Sequence, residues 1–375
     1  MYDSILDFLN PLNLSEISDD TGYKEGQVGK AIRVYEEEFP DLDEVDVVIV
    51  GCTDQRGSAL LHPSTAPFAI RTEFYNLFYW HQDVRIADIG DVKTGKSSSD
   101  TYAALKMVLH ELQLANKTVI VLGGSHDLTL SQYGAFADEK KAIDAVGVDA
   151  VIDINLESPF RSENFLMELL TAEPNYMQHY NHIGFQSYYV HPRMLETMDK
   201  LRFDCFRVGT VKEHIEEMEP VIRNCSILSF DISAIARAFA PANHVSPNGL
   251  SGEEACVLLQ YAGMSPNMNS VGIYNYRPEQ DVEHLTAKQI SQMLWYFLDG
   301  YSRNKREAKL EERDSFNEFH LALADIDTVF LQSKKTGRWW MQLPDKQFIA
   351  CSYKDYITAS SNELPERWLR AQERP

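Results

Sequence analysis

The chain has 375 residues, 44% of them hydrophobic and 24% charged, which excludes a wholly disordered, collagenous or coiled-coil protein. Its 35 basic and 56 acidic residues leave a formal charge of −21, and such a surface repels phosphate backbones and anionic lipid. General nucleic-acid or membrane-surface binding is therefore not expected.

In chain order, residues 1–40 read as an acidic, solvated N-terminal segment, and residues 1–50 together hold thirteen Asp/Glu against three Lys/Arg, nearly half of the excess charge. Short Val/Ile-rich runs then alternate with helical patterns. The runs are Asp46–Gly51, Val84–Ile89, Thr118–Gly123, Asp149–Ile154, His182–Gln186, Asp204–Val208, Ser226–Asp231 and Ser270–Tyr274. Several are continuously apolar, as a strand covered on both faces requires. Helices are predicted at Ser98–Ala115, at Ser251–Ala262 behind a Ser251/Glu254 capping box, and along the Ile290–Tyr301 amphipathic stripe. This alternation predicts an α/β fold, a three-layer α/β/α sandwich on a mostly parallel eight-stranded sheet, over residues 41–305. Residues 306–375 read as an appendage: a charged helix near Lys305–Arg313, then a β-meander through Thr328–Gln332, Arg338–Leu343 and Gln347–Tyr353. Trp339, Trp340 and Trp368 are expected to pack that tail onto the main domain.

Five dispersed cysteines without a Cys-x-x-Cys pair argue against a disulfide framework or thiolate zinc site, and for a reducing compartment. The N-terminus shows no basic-then-apolar leader and no run approaches a membrane span, so a cytoplasmic protein is expected.

Ligands of an open parallel sheet bind outside the carboxyl ends of its strands. Three polar segments fall there: Gly123-Gly124-Ser125-His126-Asp127, Asp153-Ile154-Asn155-Leu156-Glu157 and Ser229-Phe230-Asp231-Ile232-Ser233. Alternation along an extended chain puts Asp153, Asn155 and Glu157 on one side, and Asp231 with Ser233. One histidine with several carboxylates makes an oxygen-rich site suited to Mn2+ or Mg2+. A competing motif, Gly90-Asp91-Val92-Lys93-Thr94-Gly95-Lys96-Ser97, fits the phosphate-loop pattern between a strand and a helix, with Lys96 as its phosphate-binding lysine.

The three segments, in this order, resemble the signatures of the arginase/agmatinase/formimidoylglutamase (ureohydrolase) family: Gly-Gly-Asp-His-Ser, Asp-Ala-His-x-Asp, and Ser-Phe-Asp-x-Asp followed by Asp-Pro. Pro67–Arg71, Asp88-Ile89-Gly90-Asp91 and Pro247–Ser251 also look like family segments, and Ile183–Ser187 is similar to the formimidoylglutamase branch. The resemblance implies an arginase-like fold and hydrolysis of a linear amidine or guanidine C–N bond by metal-activated water, with formimidoylglutamate the nearest substrate. It implies a small-molecule amidine substrate and a homo-oligomer. Carried over, the first metal would be held by His126, Asp153, Glu157 and Asp231, with Asp153 and Asp231 bridging to a second. The second would use Asn155 and Ser233, where the family has His and Asp. At most one tightly bound Mn2+ is therefore expected. Ala236-Arg237 replaces the Asp-Pro, and Val271–Pro278 carries no acid where the family has a substrate-binding Glu. A metal-poor descendant that keeps the fold for partner binding is the alternative.

Overall fold

The computed structural model describes residues 2–18, 22–323 and 326–373. Residues 1 and 19–21 of the acidic segment, and 324–325 and 374–375 of the tail, thus lie outside the described residues. Ten strands share one sheet: β1 (Leu9–Asn10), β2 (Arg33–Val34), β3 (Val47–Cys52), β4 (Ile86–Val92), β5 (Thr118–Leu122), β6 (Ile143–Val148), β7 (Met177–Phe185), β8 (Asp204–Arg207), β9 (Ile227–Asp231) and β10 (Ser270–Tyr274). Their order is β1-β4-β3-β5-β10-β9-β6-β7-β8, with β2 also against β4. Every pairing in it is parallel except β1 with β4.

The centre is apolar on both faces because its strands are. Every residue of β3, β5, β9 and β10 is buried. Along β5 the pleat sends Ile120 and Leu122 to one apolar layer, with Ile70, Phe74, Ile290 and Leu294, and Val119 and Val121 to the other, with Leu105 and Val108. Helices Ala66–Phe74, Gly252–Gly263 and Leu285–Lys305 cover the first face, and Ser98–Leu114 covers the second. The Ser251/Glu254 capping box forms as predicted. The result is the expected three-layer α/β/α sandwich, with two short edge strands added to the eight.

One predicted strand is displaced. Asp149–Ile154 is not a strand; its place is taken by β6, which pairs Ala145 with Ile227 of β9 and with Tyr180 of β7. Asp149 is the first residue beyond the sheet, and its Oδ1 accepts from the Val151 amide at 3.1 Å, turning the chain.

The tail is a four-stranded antiparallel sheet, β11 (Phe316–Leu323), β12 (Ile326–Ser333), β13 (Trp339–Gln342) and β14 (Phe348–Cys351), followed by helices Tyr353–Ser360 and Glu366–Glu373. The meander is present, with β11 and the two helices added, but the charged stretch after Lys305 is not helical. The three tail tryptophans are buried. The Arg223 guanidinium lies 4.5 Å from the Trp340 ring centroid and donates to the Trp339 carbonyl at 2.7 Å, anchoring the tail to the main domain. No described helix is long and apolar enough to cross a membrane. Among the described residues, none of the five cysteines is in a disulfide.

Candidate metal centre

In the run β5-β10-β9-β6 of the sheet, the three strands β5, β9 and β6 deliver polar side chains to one edge. His126 leaves β5 in a short turn, Asp149 and Asp153 follow β6, and Asp231 ends β9. All four are nearly inaccessible to solvent. The His126 Nδ1 atom lies 3.1 Å from Asp149 Oδ2, 3.1 Å from Asp153 Oδ2 and 3.3 Å from Asp231 Oδ2. Asp149 Oδ2 is buried and has no hydrogen-bond partner. The ligand atoms of His126, Asp149 and Asp153 all fall within 4.8 Å of one another, the one such metal-competent cluster among the described residues.

Three buried carboxylates converging on one nitrogen need positive charge between them. In the bare protein protons supply it. Burial alone would lower the His126 pKa, but the contacts to Asp149 and Asp153 and the charge of Asp231 hold it well above the ordinary histidine range. Burial and the Asp149 charge push Asp153 well above the carboxylate range, and Asp231 up to about 6. Burial would raise Asp149 as well, but its contact with His126 holds it below its ordinary value. A dication fits the same donors, one imidazole nitrogen and several carboxylate oxygens, and would displace those protons.

The structure thus gathers His126, Asp153 and Asp231 as the sequence predicts, and leaves Asn155 and Glu157 outside. Both are exposed, and the Glu157 amide donates to Asn155 Oδ1 at 3.2 Å. The alternation that placed them in the site assumed an extended chain, and the chain turns at Asp149 instead. Asp149 takes the fourth position. The pattern Asp-Ala-His-x-Asp is then met by Asp149-Ala150-Val151-Ile152-Asp153, with Val151 in the histidine's place. That match, Ala150 included, was the signal available in the sequence.

A model of the arginase family matches residues 45–299, more than half of the chain. The chain belongs to the arginase family. Within that family it is 23% identical to a formimidoylglutamase of Vibrio cholerae over 258 residues, 61% of this chain and 75% of that one. It is 23% identical to a formimidoylglutamase of Staphylococcus aureus over 284 residues, 69% of this chain and 90% of that one. Among solved structures it resembles the formimidoylglutamase of Bacillus subtilis, with a TM-score of 0.65 at 17% identity, covering 76% of this chain and 93% of that one. The formiminoglutamase of Trypanosoma cruzi, described with Mn2+, gives a TM-score of 0.64 at 16% identity, covering 71% and 99% of the two chains. These likenesses show the arginase-like fold. The tail beyond residue 299 lies outside the match to the arginase-family model.

Against the family pattern, His126, Asp149, Asp153 and Asp231 stand at the positions of the first-metal donors, whereas Val151 and Ser233 stand where the second metal's His and Asp would be. Val151 offers no donor atom. The Ser233 hydroxyl donates to Asp149 Oδ1, and the Ser233 amide donates to Asp231 Oδ1 at 2.7 Å. Asn275, directly after β10 in the segment where the family carries its Glu, has φ +60° and donates through Nδ2 to Asp231 Oδ2. Three neutral donor groups, two of Ser233 and one of Asn275, therefore bond carboxylate oxygens of Asp149 and Asp231.

The phosphate-loop motif is folded into internal bonds. Arg71, fully buried, donates to Asp88 Oδ2 at 2.8 Å, Asp91 Oδ1 at 2.6 Å and the Gly90 carbonyl at 3.0 Å. Gly90 sits at φ +80°, where a Cβ would lie 2.0 Å from the Asn10 carbonyl oxygen. The amides of Gly90, Lys93, Gly95 and Ser97 donate to Asp88, Phe8, Thr101 and Asp100 respectively. A phosphate cradle needs such amides free.

Proposed function

We propose that this arginase-family protein is a hydrolase of a linear amidine C–N bond, with formimidoylglutamate the nearest substrate, acting at a centre for a single Mn2+. The convergence of His126 Nδ1 with Asp149, Asp153 and Asp231 oxygens at 3.1–3.3 Å carries this reading. The matched residues and the formimidoylglutamases among the relatives support it. Bound there, Mn2+ would lower the pKa of a water and provide the nucleophile.

The chain's own residues have separate tasks. His126, Asp149, Asp153 and Asp231 hold the ion. Asn275 keeps Asp231 oriented and offers a neutral amide where the family presents an acid to a cationic substrate. The test is turnover of formimidoylglutamate, agmatine and arginine by Mn2+-loaded protein, read as release of the free amine or urea. Turnover that disappears in Asp149→Asn supports the reading, whereas metal-loaded protein inert on all three sinks it.

The replacements at Val151, Ser233 and Asn275 favour a second reading, in which the fold and one ion persist without catalysis and serve partner binding. Stoichiometric Mn2+ without turnover would select it.

A further inference from the structure

His126 is held from behind as well as from the front. Its Nε2 lies 2.7 Å from Ser229 Oγ, Ser229 Oγ lies 2.6 Å from Thr129 Oγ1, and Thr129 Oγ1 donates to the His126 backbone carbonyl at 2.7 Å. All three residues are buried.

The direction of each bond follows from proton counting. A hydroxyl has one proton and a carbonyl has none. The Thr129 proton is committed to the His126 carbonyl, so Thr129 accepts from Ser229. The Ser229 proton is then committed to Thr129, so Ser229 accepts from His126. The Nε2 atom must therefore carry hydrogen, and in the neutral imidazole the lone pair is left on Nδ1, the nitrogen that faces Asp149, Asp153 and Asp231.

We propose that Thr129 and Ser229 are positioning residues for the metal centre: a hydroxyl relay that starts on the His126 carbonyl and selects Nδ1 as the ligating nitrogen. The inference rests on the single-metal reading above, and concerns how the ligand is prepared. The relay is local in origin. Thr129 opens the helix Thr129–Asp138 one turn beyond His126, so the same residue caps the histidine's own backbone and sets its ring. Ser229 reaches the ring from β9, two residues before Asp231, on the same side of the strand. Partners of this kind fix both tautomer and ring orientation, and their loss typically costs about 10–100-fold in metal affinity.

The experiment uses the full chain. Mn2+ affinity is measured by calorimetry for wild type, Thr129→Val and Thr129→Ser, and nitrogen NMR of ring-labelled histidine is recorded on cadmium-loaded wild type. Thr129→Val is expected to weaken Mn2+ about tenfold or more. Thr129→Ser, which keeps the hydroxyl, is expected to restore the wild-type value. The NMR is expected to show cadmium coupling at His126 Nδ1 and hydrogen on Nε2. Equal Mn2+ affinity in Thr129→Val and wild type would overturn the relay while leaving the metal reading intact, as would cadmium coupling at Nε2. The NMR on wild type decides the matter if Thr129→Val does not fold. Absence of any bound ion in wild type overturns both readings together.

Discussion

The hydroxyl of Ser233 donates to Oδ1 of Asp149, joining the turn after β9 to the first residue beyond β6. In the family pattern these two positions both serve a second cation. Here the neutral hydroxyl of one bonds a carboxylate oxygen of the other, which supports the single-ion reading proposed above.

The first prediction separates Asp149 from Glu157. Asp149→Asn is expected to abolish stoichiometric Mn2+ binding, because a neutral amide replaces a buried carboxylate ligand. Glu157→Gln is expected to leave binding unchanged, its side chain being exposed. Metal content after gel filtration reads both. Loss of the ion in Glu157→Gln would contradict the geometry.

The second concerns stoichiometry. Wild type is expected to hold one Mn2+ per chain. Val151→His with Ser233→Asp supplies an imidazole and a carboxylate, the donor types missing from the second set, and is expected to bind a second ion. Electron paramagnetic resonance distinguishes an isolated Mn2+ from a coupled pair. Two well-occupied ions in wild type would show that Ser233 and Asn275 do not block the position.

The third concerns the tail. Trp340 is buried against the Arg223 guanidinium. Trp340→Ala is expected to cost about 3–5 kcal/mol, through the lost packing and the cation left uncovered beside the cavity. Removal of residues from 320 onward is expected to lower the melting temperature of the remaining domain. Denaturant titration of the point variant and thermal melting of the truncation measure these effects. Unchanged melting after truncation would mean that the tail is independent of the main domain.

The fourth concerns the phosphate-loop pattern. Because the Gly90, Lys93, Gly95 and Ser97 amides are committed within the protein, ATP and GTP are expected to produce no thermal shift in wild type or in Lys96→Ala. A nucleotide-dependent shift that vanishes in Lys96→Ala would require the loop to open.

Much of the fold was legible from the chain. Runs such as Val119–Leu122 are apolar at successive positions, and only a strand covered on both faces uses that pattern. The capping box at Ser251 and Glu254 marked a helix start to within a residue, because its two hydrogen bonds are local. His126, Asp153 and Asp231 were also legible, since each follows a strand at the sheet edge where ligands bind.

What the chain could not decide alone was the end of β6. It contains Asp-Ala-Val twice, at Asp144–Val146 and Asp149–Val151, and both copies have the apolar pattern of a buried strand. Only pairing selects between them: Ala145 meets Ile227 and Tyr180, which places Asp149 just past the last ladder position. A strand choice displaced by this repeat moves the site reading from Asp149 and Val151 to Asn155 and Glu157. Local propensity is nearly the same for the two copies, and the register is settled by neighbouring strands brought together from far along the chain. The sequence by itself therefore determined the kind of fold and the kind of metal donors, and the tertiary structure decided which carboxylate completes the set and which neutral donors stand beside it.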